Sequence, residues 1–180
     1  MKVTVFGSAR PQPGDPAYEE ALLLGKLLAM AGHTVLTGGY MGTMEAVSRG
    51  AVEAGGHVIG VTCEEVERWR QRGANPWVLE EWRRPTLMDR LDTLITSANA
   101  ALALPGGPGT FTEILIFWNR LLIQSISPRP LILIGKAWKI VFDTYYKEMG
   151  SAVTEQEKAL LSFASDIHQA ITMLPDQKHS

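Results

Sequence analysis

This sequence has little cysteine, no cluster of histidines and no long apolar run. Cys63 is the only cysteine among 180 residues, which excludes an internal disulfide and a zinc site made of several thiolates. The four histidines are scattered without the spacing of metal ligands, so we expect no structural metal. No apolar run is as long as a membrane-spanning helix, so no membrane segment is predicted.

An excess of charge of one sign is also lacking. The formal net charge is −2, which provides no basic field to attract nucleic acid or an anionic membrane. We therefore expect small molecules or protein as partners, and neither nucleic acid nor a membrane. Residues 1–6 are typical of a β-strand rather than of a signal peptide, which predicts a cytoplasmic protein.

Two common nucleotide-binding motifs are missing. The turn G-S-A-R at residues 7–10 follows the first apolar run but lacks the G-x-G-x-x-G of dinucleotide-binding folds. No G-x-x-x-x-G-K-[ST] occurs anywhere in the chain. A mononucleotide or a sugar phosphate is therefore a better candidate ligand than a dinucleotide or ATP.

Short apolar runs alternate with helical periodicity along the chain. The strand candidates are residues 3–6, 34–37, 58–62, 100–104 and 131–134. Each is almost continuously apolar, which is typical of parallel strands covered by helices on both faces. The pattern predicts a single α/β domain over residues 1–180, with a Rossmann-like, doubly wound parallel sheet. Extra C-terminal helices are predicted at residues 138–149, 154–163 and 165–174.

The most informative segment is P-G-G-P-G-T at residues 105–110, between a strand pattern and a helical pattern. Its glycines let the main chain approach an anion, and the N–H groups that open the next helix point at that anion. Thr110 is predicted to cap this helix and Glu113 to lie in its first turn. Because binding phosphate does not require a carboxylate, Glu113 suggests a chemical role.

Four glycine-containing segments together resemble the LONELY GUY family of phosphoribohydrolases, which were once labelled lysine decarboxylases. The segments are V-F-G-S at 5–8, G-G-Y-M-G-T-M at 38–44, G-G-H-V-I-G-V at 55–61 and P-G-G-P-G-T-F-T-E at 105–113. The resemblance implies hydrolysis of the N-glycosidic bond of a nucleoside 5′-monophosphate, such as AMP or a cytokinin riboside monophosphate. It also implies a homodimer that needs no cofactor.

The resemblance assigns residues to the site. The family pattern has an Arg-Lys pair upstream of the P-G-G loop and a Glu at its end, which implies that Arg90 and Glu113 are catalytic. The predicted phosphate- and substrate-binding residues are Gly7, Ser8, Gly38, Gly39, Gly42, Thr43, Met88, Gly106, Gly107, Gly109 and Thr110.

Chemistry gives this pair a rationale of its own. Breaking an N-glycosidic bond leaves positive charge on the sugar, which a carboxylate at Glu113 can stabilise while it orients water. A guanidinium at Arg90 can hold phosphate or ribose and neutralise charge on the departing base. Simpler interpretations also exist, because Glu113 could complement its helix N-terminus and Arg90 could pair with Asp89 or Asp92.

Three positions depart from the family pattern. Leu91 stands where the Lys is expected, Pro108 replaces an aromatic residue, and Thr112 replaces an acid. The segment at residues 42–51 is closer to a sister branch that includes molybdenum cofactor carrier proteins. The alternative function is therefore a non-catalytic nucleotide or molybdenum cofactor carrier. A pyridoxal phosphate decarboxylase is not expected, since no lysine lies in a motif for that cofactor.

Two further segments suggest contacts with a ligand or a partner. Residues 64–85 contain three of the five tryptophans interleaved with arginines, which fits base recognition or a lid. We favour a mixed-charge helix and connection whose tryptophans pack onto the body, because acids offset the basic charge. Residues 111–124 are apolar almost all round a helix, which favours self-association over burial within one large monomer.

Overall fold

The sheet follows from apolar strands that must be covered on both faces. The computed structural model describes residues 1–175. Its strands are β1 (Lys2–Phe6), β2 (Thr34–Thr37), β3 (Val58–Cys63), β4 (Glu80–Arg84), β5 (Ala100–Ala103), β6 (Leu131–Ile134) and β7 (Ser162–Ala164). Every neighbouring pair is parallel, and the order across the sheet is β4-β3-β2-β1-β5-β6-β7.

Helices connect the strands and cover both faces of the sheet. They are α1 (Pro16–Met30), α2 (Thr43–Glu53), α3 (Glu64–Arg70), α4 (Leu87–Thr96), α5 (Pro108–Leu122), α6 (Lys136–Met149), α7 (Glu155–Lys158) and α8 (Ile167–Thr172). One apolar core joins α1, α2 and α8 to the sheet, and the other joins α4, α5 and α6 to it. The predicted doubly wound α/β fold is confirmed.

The strand order reverses at β1, which lies between β2 and β5. In open parallel sheets this reversal leaves a crevice at the carboxyl ends of the strands, where ligands bind. The turn after β1 and the P-G-G loop after β5 both open onto that crevice. The topology therefore brings together two segments that are about a hundred residues apart in the sequence.

The structure differs from the predictions in three regions. Residues 154–163 do not form one helix, because α7 ends at Lys158 and β7 follows it. Residues 64–85 contain the strand β4 as well as the helix α3. The last predicted helix is shorter than residues 165–174, since α8 covers only Ile167–Thr172.

Within residues 1–175, no helix is long and apolar enough to cross a membrane.

Candidate functional site

A cleft of about 350 Å³ lies where the strand order reverses. One wall is the turn after β1, another is the N-terminus of α5, and α3 and α4 supply further side chains. The residues that line the cleft are Gly7, Ser8, Ala9, Arg10, Tyr40, Met44, Val66, Trp69, Arg70, Leu87, Arg90, Gly107, Pro108, Gly109, Thr110 and Glu113.

The Arg90 side chain is buried and is held by backbone carbonyls of β3 and of the residue that follows β2. Its Nε donates to the carbonyl of Val61 at 2.8 Å, and its Nη2 donates to the carbonyl of Gly38 at 3.2 Å. The guanidinium carbon lies 5.5 Å from the centre of the Tyr40 ring. A Cβ at residue 38 would overlap Nη2, so glycine at that position makes room for the guanidinium.

Glu113 lies beside Arg90 in the cleft. Its Oε1 is 3.6 Å from Arg90 Nη1, and the residue is only 8% exposed. Burial raises the pKa of Glu113 from its usual 4.5 to about 7, although the positive charge of Arg90 acts in the opposite direction. The carboxyl group can therefore gain or lose a proton near neutral pH, as a general acid or base must.

The simpler interpretations of this pair do not match its position. α5 begins at Pro108, so the prediction that Glu113 lies in the first turn was wrong, and the side chain is a turn too far along to complement the helix end. Asp92 pairs with Arg120 rather than with Arg90, and Asp89 accepts a hydrogen bond from the Thr86 hydroxyl.

The N-terminus of α5 presents backbone N–H groups to the cleft. Its N-cap is Gly107 and no side chain caps it, so the prediction that Thr110 caps the helix was wrong. Thr110 is instead buried within the first turn. The first N–H groups of a helix have no acceptor within it and attract anions, so this end of the cleft suits a phosphate group.

The glycines of the P-G-G loop are of two kinds. A Cβ at Gly106 would overlap the Thr110 side chain, so packing requires this glycine. A Cβ at Gly107 or Gly109 would meet no protein atom within 4 Å, although both residues line the cleft. Packing within the chain does not require glycine at these two positions, whereas a closely approaching ligand does.

We expect Gly109→Ala to raise stability while weakening ligand binding. Alanine is favoured over glycine in a helix by up to about 1 kcal/mol, and the new methyl group enters empty space in the cleft. Denaturant unfolding and calorimetric titration with ribose 5-phosphate measure the two effects. Gly73→Ala is the matched control, since its Cβ also meets nothing but lies outside the cleft. Unchanged affinity in Gly109→Ala would contradict phosphate binding at α5.

The remaining predicted binding residues either stabilise the loops next to the cleft or lie outside it. Thr43 donates its N–H and its hydroxyl to the carbonyl of Ser8, at 2.8 and 3.1 Å, which fixes the turn after β1. Gly42 and Gly39 have φ of 74° and 75°, values that favour glycine. Met88 is 62% exposed and does not line the cleft.

Several residues of the cleft were not predicted as site residues. Tyr40 lies inside the G-G-Y motif, and its hydroxyl bonds both the N–H and the carbonyl of Cys63. Arg10 follows Ser8 in the first turn, and Val66 lies on α3. Trp69 is 78% exposed, so the expectation that the tryptophans of residues 64–85 pack onto the body was wrong for this one. For Val66 and Trp69, the signal available in the sequence was the Trp- and Arg-rich composition of residues 64–85.

The chain is similar both to a phosphoribohydrolase and to proteins that bind or carry the molybdenum cofactor. It is 32% identical to a cytokinin riboside 5′-monophosphate phosphoribohydrolase of Mycobacterium marinum over 120 residues, which cover 65% of this chain and 62% of that enzyme. The molybdenum cofactor binding protein of Rippkaea orientalis has the same fold, with 22% identity, a TM-score of 0.72 and coverage of 96% and 93%.

A third similarity is to the molybdenum cofactor carrier protein of Chlamydomonas reinhardtii. The identity is 25%, the TM-score is 0.69, and 95% of this chain and 93% of the carrier are covered. The predicted relationship to phosphoribohydrolases and to cofactor carriers is confirmed. A model of the SLOG cluster4 family matches residues 1–161. Because this match covers most of the sequence, the chain belongs to the SLOG cluster4 family.

Proposed function

We propose that the protein hydrolyses the N-glycosidic bond of nucleoside 5′-monophosphates to a free base and ribose 5-phosphate. The observation that carries the proposal is the Glu113 carboxyl, buried beside Arg90 in the cleft onto which the α5 N-terminus opens. Binding of a phosphate ligand alone gains nothing from a nearby carboxylate. The similarity to the Mycobacterium marinum phosphoribohydrolase supports the same activity.

The substrate's phosphate binds at the start of α5. Backbone N–H groups at Gly109 and Thr110 donate to its oxygens, and the helix dipole favours its negative charge. Gly107 and Gly109 leave space for the phosphate to approach the main chain. Ser8, in the turn after β1, lines the same cleft and offers a hydroxyl.

Glu113 acts on the sugar. As the bond from C1′ to the base breaks, its electron pair leaves with the base nitrogen and positive charge develops on the ribose. The ionised carboxylate stabilises that charge and takes a proton from the water that attacks C1′. The base nitrogen takes up a proton from the solvent, and Glu113 afterwards releases to the solvent the proton that it took from water. The net reaction therefore adds hydroxide to C1′ and a proton to the base.

Arg90 positions the reaction. Two of its five N–H donors are used by the carbonyls of Val61 and Gly38, which fixes the plane of the guanidinium. The remaining donors face Glu113 and the cleft, where they hold ribose or phosphate oxygens and offset negative charge on the departing base. Its charge also keeps part of the Glu113 population ionised at neutral pH.

We expect kcat/KM to rise with pH and to level off above about 7. The pKa of Glu113 is raised to about 7, so the carboxyl is protonated and inactive below that value and ionised above it. Initial rates of base release from pH 5 to 9 give the profile. The pKa for the second ionisation of the substrate phosphate is about 6. A pH dependence caused by the phosphate would therefore persist in Glu113→Gln, whereas one caused by Glu113 would disappear. A profile that falls as pH rises through 7 would contradict an ionised Glu113.

The second candidate function is that of a non-catalytic carrier of a nucleotide or of the molybdenum cofactor. It is favoured by the similarity to the Chlamydomonas carrier and by Leu91, which is 4% exposed and packs where the enzyme pattern has a Lys. A carrier would hold the phosphate of its cargo at α5 and release the cargo intact. Recovery of an intact ligand distinguishes this function from hydrolysis.

The discriminating assay is incubation with AMP and with isopentenyladenosine monophosphate, followed by chromatography of the free base. The proposal predicts release of base from at least one monophosphate. The matched nucleosides, which lack phosphate, serve as controls and should react far more slowly because they cannot use the α5 N-terminus. Binding without any release of base would favour the carrier.

We also propose that two copies of the chain associate through α5 and α6. In a single chain, one face of α5 remains exposed, with Leu115 at 38%, Leu122 at 39% and, just beyond the helix, Ile123 at 64%. Tyr145 and Met149 on α6 are also exposed. The second copy would cover this apolar surface, as the almost entirely apolar sequence of residues 111–124 suggests.

A further inference from the structure

Arg70, at the end of α3, has a buried donor without an acceptor. Its Nη1 is inaccessible to solvent and has no hydrogen-bond partner. Within residues 1–175, the charged group of this side chain interacts only with aromatic rings, in cation–π contacts. The guanidinium carbon lies 5.3 Å from the Trp69 ring centre and 5.8 Å from that of Tyr40. An unsatisfied buried donor is costly, and because the Arg70 residue lines the cleft, an acceptor on a ligand there can satisfy the guanidinium once the side chain turns toward it.

The acids around α3 do not satisfy Arg70. Glu67, one turn earlier, pairs with Arg83 at 2.6 Å. Glu45, in the neighbouring cavity that Arg70 also lines, accepts the Tyr18 hydroxyl at 3.2 Å. Arg70 therefore keeps its donors for the cleft.

The strand order separates the start of α3 from the start of α5. α3 follows β3, and α5 follows β5, which lies three strand positions away from β3. Neighbouring strands are about 4.8 Å apart, so the ends of β3 and β5 are separated by about 14 Å. This separation is comparable to the length of a nucleoside monophosphate. With phosphate at α5 and the sugar beside Glu113, the base extends toward α3.

We infer that Arg70 and Trp69 form the base-binding end of the cleft and select 6-oxopurines, namely guanine or hypoxanthine, over adenine. The inference rests on the proposed function for the position of the phosphate. Arginine offers only donors, and these match the O6 and N7 acceptors of a 6-oxopurine in a two-bond arrangement. Adenine presents an amino group at position 6, which places a donor against a donor. The exposed Trp69 ring provides a surface on which the base stacks.

The first experiment compares base release from GMP, IMP and AMP by the wild type, Arg70→Gln and Arg70→Lys. We expect the wild type to favour GMP and IMP by about tenfold or more in kcat/KM, since a two-bond arginine contact discriminates bases on this scale. Arg70→Gln should lose the preference by slowing on GMP and IMP, and Arg70→Lys, which lacks the fork, should restore only part of it.

Arg68→Gln is the matched control, because Arg68 is an exposed arginine on the same helix and does not line the cleft. It should keep the wild-type preference. Equal use of AMP and GMP by the wild type would overturn the inference. An equal loss on all three nucleotides in Arg70→Gln, at unchanged thermal stability, would also overturn it, because that result indicates a phosphate contact.

A binding measurement separates failure of the inference from failure of the proposed function. Calorimetric titration of GMP and AMP into the Glu113→Gln protein, with and without Arg70→Gln, reports base preference without turnover. If no nucleotide is hydrolysed but GMP binds about tenfold more tightly than AMP only when Arg70 is present, the proposed function fails and base selection by Arg70 stands. Equal affinities in both backgrounds would refute the selection whether or not hydrolysis occurs.

Discussion

Glu113→Gln should lower kcat for base release by about 10²- to 10⁴-fold, the range of a lost general acid–base group. The amide neither carries the negative charge that stabilises the ribose cation nor accepts a proton from water. The nucleotide should still bind, since the phosphate contacts come from the α5 N-terminus rather than from this side chain. Stopped assays with excess GMP and AMP, analysed for free base, give kcat and KM separately.

The fold should tolerate this substitution. Glutamine has almost the shape of glutamate, and the carboxyl already carries a proton part of the time because its pKa is about 7. Glu20→Gln, on the exposed surface of α1, is the control and should keep wild-type activity. Undiminished base release by Glu113→Gln would remove this residue from the mechanism.

Arg90→Met should lower both stability and activity. Removing one partner of a buried ion pair costs about 3–5 kcal/mol, and here the carbonyls of Val61 and Gly38 also lose their donor. The positive charge of Arg90 lowers the pKa of Glu113, so its loss should raise that pKa above about 7 and leave less ionised carboxylate at neutral pH. We expect kcat to fall by about 10²- to 10³-fold, the cost of losing one oriented electrostatic donor.

Urea unfolding and the pH profile of kcat test this substitution together. Because the folded state then holds the Glu113 proton more tightly, the pH limb should move upward and the loss of stability should be smaller at low pH. Arg90→Lys keeps a charge but not the fork, and should be intermediate. Arg49→Met, which breaks an exposed pair with Glu53, should cost about 1 kcal/mol or less. An unmoved pH limb in Arg90→Met would show that Arg90 does not act on Glu113.

The strands that apolar runs predict are those buried on both faces. β1, β2, β3, β5 and β6 lie inside the sheet, and their burial produces the continuous apolar pattern. The two strands that were missed, β4 and β7, are the two edges. β4 reads E-E-W-R-R because an edge strand needs little apolar cover, and charged side chains there discourage pairing with other sheets. Sequence periodicity alone does not distinguish such a strand from a charged helix.

The site was predictable where a motif carried it. The P-G-G loop and the turn after β1 lie on one cleft, because carboxyl ends of neighbouring parallel strands share an edge. The meeting of Arg90 with Glu113 depends on the packing of α4 and α5 on the same face, which no local pattern encodes. The composition of residues 64–85 suggested base recognition or a lid but did not identify Trp69 and Arg70, because the exposure of Trp69 and the unpaired donor of Arg70 are properties of the folded chain.

The buried carboxyl group is the feature of this cleft that the proposed hydrolysis needs and that a carrier does not. A carrier and a phosphoribohydrolase both need the anion-binding end of α5. The space that Gly107 and Gly109 leave there for a phosphate suits either function. Only hydrolysis needs an ionisable group beside the sugar. Because burial raises the pKa of Glu113 from 4.5 to about 7, this carboxyl lowers the stability of the fold progressively as the pH rises from about 4.5 to about 7, a cost that a binding protein has no reason to retain.

The most direct measurement is the product balance of a purified sample incubated with an excess of GMP, IMP or AMP. We expect free base and ribose 5-phosphate in equal amounts, over many turnovers per chain, with both products reduced together in Glu113→Gln. A stable complex from which the intact nucleotide is recovered, with no base released by the wild type at any pH between 5 and 9, would contradict the proposed hydrolysis.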